Sequence, residues 1–198
     1  FYFAEEAFSA LDCIRQSGLP AVVTIAPMGE NILRDQWDII DTCKELEQRG
    51  ADVVGMNCFR GPTTMMPFLR QIREAVSCHV AALPIPYRTT AKQPTFFNLD
   101  DNCGCTVPSP HGRTFPTALD PLYCNRYEIR KFAEDAWAMD IRYLGVCCGA
   151  APIHIREVAE AMGRRPEASR FSENMEKHFM YGSDKRLPEH ITTYGDKA

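Results

Sequence analysis

Apolar residues recur every three or four positions over residues 3–18, at Phe3, Ala7, Ala10, Leu11 and Ile14, and Gly18 follows as a stop. That spacing lines one face of a helix. The next run, PAVVTIA (20–26), is short and rich in β-branched residues, which reads as a buried strand. The alternation then repeats. DQWDIIDTCKELEQRG (35–50) reads as a helix with Asp35 as N-cap, carrying Trp37, Ile40, Cys43, Lys44 and Leu46 and stopping at Gly50. ADVVGMNC (51–58) is a second strand, and TTMMPFLRQIREAV (63–76) a helix that tolerates Pro67 near its first turn. HVAALPIP (79–86) is a third strand. YCNRYEIRKFAEDAWAMD (123–140) is a helix that turns Ile129, Phe132, Ala133, Ala136 and Trp137 inward. IRYLGVCC (141–148) is a fourth strand, and PIHIREVAEAMG (152–163) the helix after it, with Pro152 at a permitted first-turn position.

Short, nearly continuous apolar strands alternating with helices predict a parallel sheet covered by helices, an α/β fold. A doubly wound sheet would carry a glycine-rich phosphate turn after its first strand, and APMGEN (26–31) is not one. Four strand–helix units therefore read as half of a (β/α)8 barrel. Residues 87–122 are too long for an ordinary strand-to-helix loop and predict either a functional lid or a disordered insertion. Beyond Met162 the chain is polar and aperiodic. The expected organisation is a partial barrel over 1–162 and a tail, mostly loop, over 163–198.

Composition narrows the class. The 198 residues are 45% hydrophobic and 24% charged, with formal net charge −4, which excludes a basic nucleic-acid or anionic-membrane binder. No apolar run approaches a membrane span, and the opening FYFAEEAFSALDCIRQ lacks the basic region of a signal peptide. Nine cysteines are many, but the number is odd and the chain is not small, so reduced cytosolic thiols are expected rather than a disulfide scaffold. Because the sequence opens on Phe1, within a helical pattern rather than at a methionine, a fragment of a longer protein is expected.

The chemistry concentrates at two strand ends. Cys58 closes the second strand, and Cys147 and Cys148 close the fourth. Adjacent strand residues point to opposite faces, so the pair reaches one point only if the backbone bends there. Gly55, Gly145 and Gly149 flank these cysteines and would support tight bends. In a barrel the strand C-termini converge on the catalytic face. Three thiols and one vacancy would suit a catalytic zinc. Buried packing of small thiols is an equal reading, and a vicinal Cys147–Cys148 disulfide a third. Cys103 and Cys105, with His111 nearby, lack zinc-knuckle spacing and read as exposed loop thiols; Cys13, Cys43, Cys78 and Cys124 need no chemistry.

GMNC (55–58) and GVCCG (145–149) resemble the two cysteine motifs of zinc-dependent homocysteine S-methyltransferases. NRYEIRKFAEDAWAMDIRYLGVCCGAAPIHIREVAE (125–160), ALPIPYRT, KHFMYGS and FYFAEEA are similar to the betaine–homocysteine branch. The resemblance covers about residues 1–190. It implies that Cys58, Cys147 and Cys148 are thiolate ligands of one Zn2+ per chain. It implies that homocysteine sulfur, deprotonated at the open position, takes a methyl group from glycine betaine to give methionine and dimethylglycine. Homocysteine and betaine are then the partners, with a homo-oligomer in the full-length protein. S-methylmethionine or a methylfolate is the alternative donor, and a non-catalytic zinc or redox module the alternative class.

Departures from the family pattern are Val146, where a second glycine is usual, and FRGPTT after Cys58 in place of an HFDPT-like run. The acidic residues that grip the homocysteine amino group, and most of the aromatic donor cage, are expected upstream of Phe1. Substrate-binding candidates within the chain are Asn57 beside Cys58, Tyr87 at the mouth of the third strand, and His190, which resembles a tail histidine reaching the betaine carboxylate. Asn57 as a loop brace and Tyr87 packed under the long loop are the plainer roles. His154 and Arg156 are expected to make helix-start contacts and an ion pair.

Overall fold

The computed structural model describes residues 1–101 and 113–186. The chain divides into two compact units, Phe1–Arg164 and Arg165–Ala198.

The first unit runs α1 (Ala4–Ser17), β1 (Val22–Ile25), α2 (Ile39–Gln48), β2 (Val53–Asn57), α3 (Pro62–Ala75), β3 (His79–Leu83), α4 (Arg126–Ala138), β4 (Tyr143–Leu144) and α5 (Pro152–Ala161), with a 3-10 turn at Asp120–Leu122. Among the described residues the four strands are parallel and lie in chain order β1-β2-β3-β4, in registers that pair Val22 with Val53, Gly55 with Ala81 and Ala82 with Leu144. A doubly wound sheet reverses its order at a switch point, whereas a barrel advances one strand at a time. This is an α/β sheet that advances as a partial (β/α)8 barrel does. It brings the C-terminal ends of all four strands to one face.

Helix starts follow from local chemistry. Asn125 and Glu128 form a reciprocal capping box at α4. At α2 the expected cap moves by one turn. Asp38, not Asp35, caps the helix, accepting from the amides of Ile40 (2.7 Å) and Asp41 (3.2 Å). Asp35 instead accepts from the amide of Glu5 at 3.0 Å and ties the loop to α1. Trp37 packs edge-on against Phe8 across this loop, their ring centroids 5.0 Å apart.

Two further expectations change. The fourth strand is only two residues long, because Pro84 and Pro86 have no amides to extend its ladder with β3 and the amide of Ile85 turns to the Arg60 carbonyl. Trp137 is exposed rather than inward. The buried stripe of α4 is Ile129, Phe132, Ala133 and Ala136, and Trp137 lies beside it with the Arg142 guanidinium 3.8 Å from its ring centroid.

The main core joins helices to sheet through Phe8, Leu11, Ile25, Leu46, Met56, Leu69 and Phe132. A second cluster sits over the strand ends and contains Cys58, Phe59, Ile85, Tyr87, Phe96 and Leu99. The described parts of 87–122 are therefore packed: Phe96, Leu99 and Thr114 are buried, and the Thr114 hydroxyl donates to the Leu99 carbonyl at 2.5 Å. Among the described residues, no helix is long and apolar enough to cross a membrane. In the second unit the described residues form two 3-10 turns, Glu167–Phe171 and Met175–Lys177.

Candidate metal centre

Strand β2 ends at Asn57, and the chain then reverses through two left-handed residues, Cys58 (φ 64) and Phe59 (φ 55). Neither is glycine, so the bend is not where flanking glycines suggested; Gly55 stays in the strand, where a Cβ would collide with the Ala81 carbonyl. Left-handed backbone costs about 1–3 kcal/mol at such residues and persists only when its surroundings impose it. Here the amide of Cys58 donates to the Leu83 carbonyl at 2.9 Å, and that of Arg60 to the Cys58 carbonyl at 2.7 Å. The Phe59 ring is packed among Tyr2 (5.5 Å), Phe97 (5.1 Å) and Phe96 (6.1 Å).

From β4 the chain enters a turn instead of extending. The amide of Cys147 donates to the Pro84 carbonyl at 2.8 Å, and that of Ala150 to the Cys147 carbonyl at 3.1 Å. Gly149 (φ 84) lies against the Tyr87 hydroxyl, which leaves no room for a Cβ. Its carbonyl accepts from the Tyr123 hydroxyl at 2.5 Å. Tyr123 stacks on Tyr87 (4.7 Å) and on His154 (5.5 Å), and His154 Nδ1 accepts from the Ala151 amide at 2.9 Å, fixing the start of α5. Val146 keeps a negative φ, so the turn accommodates its branched side chain.

The two turns bring three sulfurs together. Cys58 Sγ lies 3.3 Å from Cys148 Sγ, and Cys147 Sγ 3.9 Å from Cys148 Sγ; all three fall within 4.8 Å of one another. Tetrahedral zinc with ~2.3 Å Zn–S bonds separates its sulfurs by roughly 3.8 Å, so the spacing fits a common ion. All three are free thiols, which removes the vicinal-disulfide reading. Cys58 is buried, Cys147 half-buried and Cys148 exposed, leaving an approach from one side.

The thiols also polarise one another. Cys147 is pulled down to about 5, first by the hydrogen bond from Cys58, then by the Cys148 amide and thiol and by the Asn57 side-chain amide, against the opposing effect of burial. Cys58 moves up, through its interaction with Cys147, its burial and its bond to Cys148. The surroundings thus favour the thiolate form at Cys147. The site is a soft, anionic three-sulfur cradle, of the kind that favours zinc and other thiophilic metals.

Asn57 Nδ2 stands 4.0 Å from Cys147 Sγ, and its Oδ1 is buried without a hydrogen bond. Tyr87 is buried between Phe96 and Tyr123 beneath the Gly149 turn; burial, then its hydrogen bond with Tyr123, pushes its phenol up. His190, Cys103, Cys105 and His111 lie outside the described residues. Arg156 is 3.9 Å from Glu160, an ion pair within α5. Sequence reasoning missed Tyr123 and Phe59 as supports of the two turns. No periodicity marks them; only the FRGPTT departure fell on one of them.

A family model for homocysteine S-methyltransferase matches residues 3–162. The chain belongs to that family. It is 35% identical over 193 residues to betaine–homocysteine S-methyltransferase 1 of Danio rerio, covering 92% of this chain and 43% of that protein. It is 31% identical over 192 residues to S-methylmethionine–homocysteine S-methyltransferase of Mus musculus, covering 92% of this chain and 48% of that protein. The chain spans about half the length of the curated relatives it matches.

Proposed function

We propose that this chain carries the metal-binding half of a methyltransferase that uses one zinc ion, held by Cys58, Cys147 and Cys148, to methylate homocysteine. The single observation that carries the reading is the convergence of three sulfurs from two strand ends separated by 90 positions of sequence. A zinc ion held there supplies a fourth position that keeps a substrate thiol deprotonated. The chain's own residues do the rest. The two turns set the sulfur spacing, and the Asn57 amide orients Cys147. The aromatic cluster of Phe59, Phe96 and Phe97 keeps water from the buried side of the site.

Betaine is the methyl donor in this reading, supported by the 35% identity to the zebrafish betaine enzyme. The carbon–nitrogen bond of the donor breaks as the carbon–sulfur bond forms, yielding methionine and dimethylglycine, and the homocysteine thiol proton leaves to solvent. The protein is a cytosolic homo-oligomer whose barrel includes residues 1–162, with 163–198 as a tail. The free thiols among the described cysteines fit a reducing compartment.

The test is a zinc-loaded, full-length protein assayed for methionine from homocysteine with betaine, S-methylmethionine or a methylfolate in separate reactions. Betaine is expected to be the productive donor. Turnover with S-methylmethionine alone reassigns the donor, and zinc binding without turnover of any donor leaves only a metal-binding module.

A further inference from the structure

Arg60 follows the left-handed pair Cys58–Phe59 and is only 4% exposed. Its Nη2 donates to the carbonyls of Gly29 (2.7 Å) and Glu30 (3.3 Å), and its guanidinium carbon lies 4.7 Å from the Phe68 ring centroid. Its Nε is buried with no hydrogen-bond partner. Among the described residues no carboxylate pairs with it. A guanidinium cannot shed its proton, and a buried cation satisfied only by neutral carbonyls is costly to keep. A brace for the 29–30 loop needs no charge, so the structure holds an unspent cation.

That cation lines a cleft of about 560 Å³, together with Asn31, Thr63, Phe68, Gln71 and Pro94. The same cleft receives the N-terminus of the 14-residue α3, which no side chain caps. Helix dipole and guanidinium therefore act in the same sense and favour an anion.

We propose that this cleft is a binding site for a small monocarboxylate. One guanidinium neutralises one charge, and Glu30 also lines the cleft, so a phosphate dianion would bring an unbalanced second charge. Phe68 and Pro94 line the cleft and suit an apolar body, while the side-chain amides of Asn31 and Gln71 are already engaged with Asp38 and the Pro67 carbonyl. The site stands independently of the methyl-transfer reading, since it uses none of the three cysteines.

The experiment is saturation-transfer NMR on the full-length protein with propionate, its neutral isostere propionamide, and inorganic phosphate. Wild-type protein is expected to show saturable propionate binding and none for propionamide. Arg60→Met should weaken propionate at least roughly tenfold, the usual loss when a hydrogen bond to a charged group is removed. Thr63→Glu places a like charge at the cleft in the first turn of α3, where an acid is compatible with folding, and should abolish binding. That variant decides the matter if Arg60→Met fails to fold. Wild-type protein without saturable propionate binding, or unchanged binding in Thr63→Glu, overturns the proposal. Phosphate binding more tightly than propionate overturns the choice of a carboxylate.

Discussion

The two turns that supply the sulfurs are built in opposite ways. The turn after β2 is buried, takes left-handed backbone without glycine, and is held by aromatic rings and backbone bonds from β3 and its continuation. The turn after β4 is open to solvent, takes its left-handed residue as glycine, and hangs from two phenol groups and the first turn of a helix. The first is an anchor with stored strain. The second is an adjustable jaw. A site made this way places one sulfur rigidly and lets the other two settle around whatever it holds.

Substitutions at the sulfurs test this contrast most severely. Cys58→Ser should leave no zinc after dialysis against a chelator, as measured by elemental analysis, whereas Cys148→Ser at the exposed position should retain weakened but measurable zinc. Equal loss in both would erase the distinction between anchor and jaw. Gly149→Ala comes next. It forces a side chain into left-handed backbone and against the Tyr87 hydroxyl, and should cost about 2–4 kcal/mol in denaturant unfolding, with weaker zinc binding.

A pH titration sharpens the comparison further. The Cys147 thiol lies at about 5 in the folded protein, below an ordinary thiol near ~8.5, so its ionisation stabilises the metal-free fold. That contribution is complete above the ordinary thiol value and disappears as pH falls through about 5. Thiolate absorbance near 240 nm should therefore show one group titrating around pH 5, and Cys147→Ala should remove both that step and its share of the pH slope. Cys58 moves the other way, so above the ordinary thiol range its retained proton works against stability. The smallest effect belongs to Tyr123→Phe, which deletes the bond to the Gly149 carbonyl and should cost about 1 kcal/mol with little change in zinc affinity. A large loss of zinc there would make the jaw as rigid as the anchor.

Much of this molecule was legible in its residue pattern, for identifiable reasons. Hydrophobic period located the five α-helices described in the first unit, because amphipathic stripes such as Ile129, Phe132, Ala133 and Ala136 are set by burial. The convergence of Cys58 with the 147–148 pair followed from strand ends meeting on one face. What stayed hidden depended on tertiary partners. Asp35 lost its capping role to Asp38 because α1 offered it the Glu5 amide. The fourth strand was cut short by prolines on its neighbour, and Trp137 lies beside the buried stripe at the surface, against the Arg142 guanidinium. The bend at Cys58 and Phe59 had no glycine to announce it, since rings far away in sequence impose it.

The 90-position separation between Cys58 and Cys148 has a consequence for the unfolded chain. Any link across that gap, whether by a shared ion or a covalent bridge, ties off a loop containing almost half the molecule. By polymer statistics, closing a loop of that length removes about 4–5 kcal/mol of disorder from the denatured ensemble. A metal lost from this site would therefore return that freedom to the unfolded chain over every segment between the two turns, α3 and β3 included. Demetallation should then lower the denaturant midpoint of the whole fold rather than loosen any one segment of it.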